Sequence, residues 1–174
     1  MTPAAPYAHL LRVTQLNPRQ PTRVTLAPDA TARTAIARTL GLTDLPAARL
    51  EATIRATGSD AWELTGRLAA RVVQPCIITL APVETAIDEP VRRIYSPHAA
   101  APEGEDVEMP DDETEPLGQT IDAGAVLVEA LSLALPLYPR APGAELPAAA
   151  VDDDDADTRR PFAGLSALMQ RKDD

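Results

Sequence analysis

The chain has almost none of the residues on which many binding and catalytic sites depend. Aromatic residues make up only 3% of it, which argues against a surface on which nucleic-acid bases stack. Cys76 is the single cysteine, so neither a disulfide nor a cysteine-rich metal site can form within one chain. The sequence also lacks a phosphate-binding glycine loop, a nucleophile elbow and a zinc-protease helix. These absences argue against the common hydrolase and nucleotide-binding classes.

The few chemically active side chains have no partners nearby in the sequence. His9 and His98 lack an adjacent carboxylate or thiol with which to form a catalytic pair, which favours a structural or surface role for each. Cys76 has apolar neighbours in the strand-like stretch Cys76–Leu80, which favours a small buried core residue over a reactive thiol. We therefore expect no enzyme, and no cofactor or metal site.

The formal net charge of −10 is unevenly distributed. Residues 103–115 contain eight acids and residues 152–157 contain five more, so 13 acids and 16 bases remain elsewhere. The rest of the chain is therefore weakly basic, at +3. Solvated tethers are the favoured interpretation of the acidic runs, because the alternation and central glycine of a calcium loop are absent. A third interpretation is that they mimic nucleic acid or shield a basic surface.

At 174 residues the chain can form one domain with tails. We predict a single domain over residues 1–146 with an acidic mobile loop at 96–117, an acidic linker at 147–160 and a tail helix at 161–172. The first residues lack a secretory signal, and the most apolar helix is too short to span a membrane. A cytoplasmic protein without a membrane partner is expected, whereas the oligomeric state stays open.

Alternation of apolar and polar residues predicts the strands. Ala48–Ala56 and Trp62–Val72 each place apolar side chains on one face and polar ones on the other, and a Gly-containing turn joins them. Further strands are predicted at Leu10–Leu16, Arg23–Leu26, Cys76–Leu80 and Val83–Tyr95. Together they predict an antiparallel meander with one face exposed to water.

Two helices are predicted to cover the apolar face of this meander. Asp122 caps a strongly apolar helix that ends before Pro136, and Asp29 caps a smaller helix that ends near Gly41. The predicted fold class is α+β: an antiparallel β-meander with one face covered by helices, plus acidic mobile loops and a short C-terminal amphipathic helix.

Two sets of residues are candidates for binding. One is a basic group on and near the exposed strand face: Arg49, Arg55, Arg67, Arg71, Arg92 and Arg93. It is either a strand face paired with Glu51 and Glu63 or a patch that follows the phosphates of RNA. The other set falls on one face of the tail helix and could dock into a partner: Phe162, Leu165, Leu168 and Met169.

Three segments in order carry a resemblance to a known family. They are VVQPCIITLAPVE at 72–84, IDAGAVLVEALSLALPLYP at 121–139, and the tail PFAGLSAL at 161–168. In this respect the chain resembles the YceD family, the large ribosomal RNA subunit accumulation proteins. Many relatives have a second cysteine where this chain has Thr79, and His or Cys residues after Pro136, so any metal site of those relatives is not available here.

The resemblance implies a non-catalytic cytoplasmic factor of bacterial ribosome biogenesis that supports synthesis, processing or stability of the large-subunit ribosomal RNA. The implied partner is that RNA or its precursor particle, with a ribosomal protein as a further possibility. The alternative is an adaptor that binds a ribosomal or RNA-processing protein through its C-terminal tail without touching RNA.

Overall fold

The computed structural model describes residues 6–99 and 114–145. Contacts divide the chain into two units, Met1–Ala144 and Glu145–Asp174. The domain bounds predicted from the sequence remain a prediction. The elements of the first unit are β1 (Leu10–Arg12), a 3₁₀ turn (Val13–Gln15), β2 (Thr22–Leu26), α1 (Ala30–Thr39), β3 (Asp44–Thr57), β4 (Ala61–Pro75), β5 (Pro82–Ser96), β6 (Thr114–Pro116), β7 (Thr120–Asp122) and α2 (Ala123–Ala134).

The main sheet has five strands in the order β2-β3-β4-β5-β6. Neighbours from β2 to β5 are antiparallel, and β6 alone is parallel to its neighbour β5. The turn between β3 and β4 contains Gly58 at a φ of 63°, a backbone conformation that glycine adopts without strain. The antiparallel meander predicted from the alternation is therefore confirmed.

One face of the sheet forms the core. Leu26, Leu50 and Leu68 lie side by side on β2, β3 and β4, and none is more than 2% exposed. α1 packs against β3, while α2 packs against β4 and β5. The two helices thus cover the apolar face, as predicted, and the α+β fold class is confirmed.

A second ladder holds the start of α2. β1 and β7 pair antiparallel, which brings the backbone of His9 next to Asp122. The Asp122 carboxylate accepts hydrogen bonds from the amides of Gly124 and Ala125, and from the amide of His9 at 2.8 Å. A Cβ on Gly124 would lie 2.6 Å from the amide nitrogen of His9, so only glycine fits beneath this crossing. The predicted N-cap therefore also anchors the N-terminal strand.

Three local predictions need correction. Cys76–Leu80 is a turn and not a strand, because Cys76 and Ala81 hydrogen-bond across it and the Cys76 thiol accepts backbone amides within it. In the predicted strand Leu10–Leu16 only Leu10–Arg12 is extended, and a 3₁₀ turn follows. Thr114–Pro116, placed in the predicted mobile loop, forms β6 because its backbone pairs with the end of β5.

Candidate nucleic-acid interface on the exposed sheet face

The exposed face of the sheet is rich in arginine because polar residues alternate with core residues along β2 to β5. Six arginines have the pairing register of this face: Arg23, Arg49, Arg55, Arg67, Arg71 and Arg92. Five carboxylates share it: Asp44, Glu51, Glu63, Glu84 and Asp88. Asp44 and Glu84 lie together at the end of the sheet far from the β3–β4 turn. The positive charge is therefore concentrated toward that turn.

Most of these arginines contact a carboxylate. Arg49 lies 2.6 Å from Glu51, and Arg67 donates to both carboxylate oxygens of Asp88, which holds the pKa of Asp88 below its usual range. Arg71 reaches Glu84 at a longer 3.8 Å. The arginine side chains are half or more exposed, and exposed pairs contribute about 0–1 kcal/mol each. Such pairs can exchange a carboxylate for a phosphate at small cost.

Glu63 organises the positive end of the face. Its side chain is only 13% exposed, and its two oxygens accept hydrogen bonds from Arg92 and Arg55, each at 2.9 Å. These hydrogen bonds, that from Arg92 first, lower the pKa of Glu63. Glu63 therefore stays ionised and holds two guanidinium groups on neighbouring strands.

Arg93 does not belong to this group. The sequence interpretation placed it beside Arg92, but consecutive strand residues point to opposite faces, and Arg93 lies on the side of α2. Its guanidinium contacts Glu129 of α2 at 2.9 Å and Glu115 of β6 at 3.2 Å. Only 16% of its side chain is exposed. Arg93 thus links three elements, and this contact gives a partner to Glu129, the single charged residue of α2.

Arg23 is the member of the face that sequence analysis missed. β2 is short, and the exposed Arg23 and Thr25 alternate with the buried Val24 and Leu26. That alternation predicts that Arg23 is exposed. Only the pairing of β2 with β3 shows that Arg23 lies on the same face as the other arginines. Among the residues that the structure describes, Arg23 has no ion-pair partner. It is therefore the arginine of this face that is most available to a ligand.

Cys76 lies in the β4–β5 turn, away from the arginines. Its thiol is fully buried and accepts backbone amides from Ile78, Thr79 and Ala141 at 3.3–3.5 Å. These hydrogen bonds, that from Ala141 first, outweigh burial and lower the pKa of the thiol to about 6. The predicted burial is thus confirmed, but the apolar-strand surroundings predicted for this cysteine are wrong.

The Cys76 turn carries exposed apolar side chains. Four large ones extend from this turn and from the chain that follows α2: Ile77, Leu80, Leu137 and Tyr138. The amide of Ile77 donates to the carbonyl of Pro139, which ties the two segments together. We call these four residues the apolar tip. Exposed apolar patches of this kind commonly mark contact sites for other macromolecules.

The remaining candidates add no catalytic or metal geometry within residues 6–99 and 114–145. His98 contacts Asp60 at 2.9 Å on an exposed turn. His9 contacts Asp122 through its backbone amide. No group of three or more potential metal ligands occurs among these residues. No helix in the same part of the chain is long and apolar enough to cross a membrane. The tail residues Phe162, Leu165, Leu168 and Met169 lie outside the described residues, so their docking role stays a prediction.

Comparison with known families identifies the chain. Residues 64–169, more than half of the 174, match the model of the large ribosomal RNA subunit accumulation protein YceD. The chain belongs to the YceD family. Searches of curated proteins and of solved structures gave no match. The family match begins within β4 and includes Arg67, Arg71, Arg92 and Arg93, whereas Arg23, Arg49 and Arg55 precede it. The family name places the protein in the accumulation of large-subunit ribosomal RNA.

Proposed function

We propose that this protein is a non-catalytic cytoplasmic factor that supports synthesis, processing or stability of the large-subunit ribosomal RNA by binding that RNA or its precursor particle. Membership of the YceD family carries this proposal. The exposed arginine face supports direct RNA contact. No described cluster of His, Cys and carboxylate groups favours catalysis over binding.

The chemistry of the face suits RNA phosphates. Guanidinium groups bind phosphate oxygens with two parallel hydrogen bonds, and arginine is preferred where such planar recognition matters. The pairs with Glu51 and Asp88 hold Arg49 and Arg67 in place on the sheet until phosphates compete for them. The sheet therefore presents cations from four neighbouring strands, β2 to β5, to an RNA backbone.

A deletion strain tests the proposed function. Loss of the gene is expected to reduce large-subunit particles on sucrose gradients and to change the level of precursor large-subunit RNA, and a plasmid copy restores both. The tagged protein should co-sediment with precursor particles and dissociate as salt increases, since phosphate contacts release counterions. Normal particle profiles and normal precursor RNA in the deletion strain contradict the proposal.

An adaptor function is the second candidate, and the apolar tip favours it. Tyr138 is 74% exposed and Leu137 is 85% exposed, although both are large side chains that a partner could cover. The predicted tail residues 161–169 would add a second contact. Crosslinking in cells separates the two functions: a direct RNA factor yields enriched ribosomal RNA sequences, whereas an adaptor yields protein partners without enriched RNA.

A further inference from the structure

We propose that one row of side chains across the exposed face is a binding track for the sugar–phosphate backbone of RNA. The row consists of Arg23, Thr53, Thr65 and Arg92, which we call the Arg–Thr track. The inference rests on the proposed function and adds to it the residues and the ligand group that they recognise.

Strand register places these four residues in a line. Arg23 on β2 pairs with Thr53 on β3, Thr53 pairs with Thr65 on β4, and Thr65 pairs with Arg92 on β5. Neighbouring strands are about 4.8 Å apart, so the line is roughly 14 Å long between its outer backbones. That length exceeds a single phosphate group and suits successive phosphates of a strand.

Three residues of the track, Arg23, Thr53 and Thr65, line a groove, and Arg92 continues the row on the next strand. Thr53 and Thr65 are short, half-buried side chains, whereas Arg23 and Arg67 are long and exposed. The groove has a volume of about 520 Å³ and is lined by side chains and backbone of β2, β3 and β4, including Thr25 and Glu51. A chain laid in it meets hydroxyl groups below, guanidinium groups beside them, and the Glu51 carboxylate, which is paired with Arg49.

Three of the four groups in the track, the two threonine hydroxyls and the Arg23 guanidinium, are available as donors. Neither threonine hydroxyl has a hydrogen-bond partner within residues 6–99 and 114–145, and Arg23 has no ion pair there. The row itself contains no carboxylate. The nearest ones are Glu51, which Arg49 holds, and Glu63, which Arg55 and Arg92 hold. A phosphate on this line therefore meets the two hydroxyls and Arg23 directly, and must compete with Glu63 for Arg92.

The same geometry favours backbone recognition over base recognition. Trp62 and Tyr95 pair with each other on the core face and are buried, so neither offers a stacking surface here. No aromatic side chain shares the exposed face of β2 to β5. Contacts to phosphate and sugar position a nucleic acid without reading its sequence. The track is therefore expected to bind RNA with little sequence preference.

Binding of a labelled single-stranded RNA of mixed sequence tests the track. Arg23→Ser should weaken affinity about fivefold to tenfold. It should also reduce the slope of log affinity against log salt by about 0.7, the value for one lost phosphate contact on single-stranded nucleic acid. Arg38→Ser is the matched control, because Arg38 is an exposed arginine on α1, which packs on the core side.

A second variant separates hydroxyl contacts from charge. Thr53→Val with Thr65→Val keeps side-chain shape and strand propensity but removes both hydroxyls, so affinity should fall while the salt slope stays unchanged. Urea unfolding midpoints confirm that each variant is folded. The track is wrong if Arg23→Ser and Arg38→Ser bind alike in affinity and slope, or if the wild-type protein does not bind the RNA.

The outcomes also separate the track from the proposed function. If each variant restores large-subunit particles in the deletion strain and retains wild-type RNA affinity, the biogenesis function stands and the track is overturned. If the wild-type gene is dispensable for those particles yet Arg23→Ser loses RNA affinity and slope, the track stands and the cellular function is wrong.

Discussion

The thiol of Cys76 shows how backbone geometry can set the chemistry of a single side chain. Three amides from two separate segments converge on one sulfur atom. A thiolate accepts these bonds more strongly than a thiol, so the pKa falls to about 6 even though the group is buried. At neutral pH the sulfur is therefore mainly a thiolate that joins the β4–β5 turn to the chain after α2.

We expect the cysteine to titrate with a pKa of about 6, followed by the ultraviolet absorbance of the thiolate. The signal is unambiguous because the chain has one cysteine, and Cys76→Ser is the blank. The hydroxyl of Thr79 also lowers the pKa of Cys76, so Thr79→Val should raise that pKa. Titration of the wild-type thiol at its ordinary value would contradict this prediction.

The same shift predicts a pH dependence of stability. The pKa in the folded state lies below that of the unfolded chain, so the stabilisation is fully present above the unfolded value of about 8.5. It is lost as pH falls through about 6. Cys76→Ser should lack this component, since serine does not ionise in that range.

Arg93 joins three secondary-structure elements through ion pairs. It connects the end of β5 with β6 and α2 through Glu115 and Glu129. Burial, followed by the charge of Glu129, raises the pKa of Glu115, and Arg93 acts in the opposite direction. The three-residue strand β6 thus depends on one cation for its contact with the helix.

Arg93→Gln should lower the free energy of unfolding by about 1 kcal/mol at neutral pH, since a charged hydrogen-bonded pair is lost in a partly exposed site. Without Arg93 the pKa of Glu115 rises further. A carboxyl group with a raised folded-state pKa contributes stability at low pH and loses it as pH rises through that pKa. The loss in free energy of unfolding caused by Arg93→Gln should therefore become smaller as pH is lowered to about 4.5.

Urea midpoints of wild type and Arg93→Gln at the two pH values provide the measurement. Glu115→Gln, with and without Arg93→Gln, is the control, because it removes the titrating group. A deficit of the same size at both pH values would show that Glu115 does not titrate in contact with Arg93.

Across the complete chain, charge opposes the proposed RNA contact. The net charge is −10, and five of the acids fall in residues 152–157. Negative charge within a Debye length of about 8–10 Å repels a phosphate backbone, and salt screens that repulsion. We therefore expect the acidic runs to reduce the affinity of the chain for free RNA.

Replacing the five aspartates of residues 152–157 with asparagine should tighten binding of the mixed-sequence RNA several-fold at low salt. The difference from wild type should disappear near 1 M salt, where the Debye length is about 3 Å. Replacing Ala148–Ala150 with serine is the neutral control in the same region. Equal affinities of wild type and the asparagine variant at low salt would show that the acidic run does not affect RNA binding.

Much of the fold could be predicted because its elements follow simple periodicities. Leu50, Ile54 and Leu64 alternate with charged or polar residues, and Asp122 precedes an apolar helix, so strands, faces and the cap were all predictable. The β6 strand was not, because its backbone pairs only with the distant end of β5 and its flanking sequence is acidic.

The candidate site was predictable only in part. Alternation identified Arg49, Arg55, Arg67 and Arg71 as exposed, since each lies between core residues of the same strand. Joining Arg23 to them required the register between β2 and β3, and separating Arg93 required knowing which face of β5 meets α2. Such information comes from pairing between distant segments.

The sequence by itself determined the two-sided strands, the capped apolar helix and the family, because each depends on local spacing or on an ordered set of short segments. Only the tertiary structure decided which charges meet. It aligned Arg23, Thr53, Thr65 and Arg92 in one row, turned Arg93 toward Glu115 and Glu129, and brought the amide of Ala141 to the Cys76 thiol. The physical reason is that strand register and helix packing act between residues far apart in the chain.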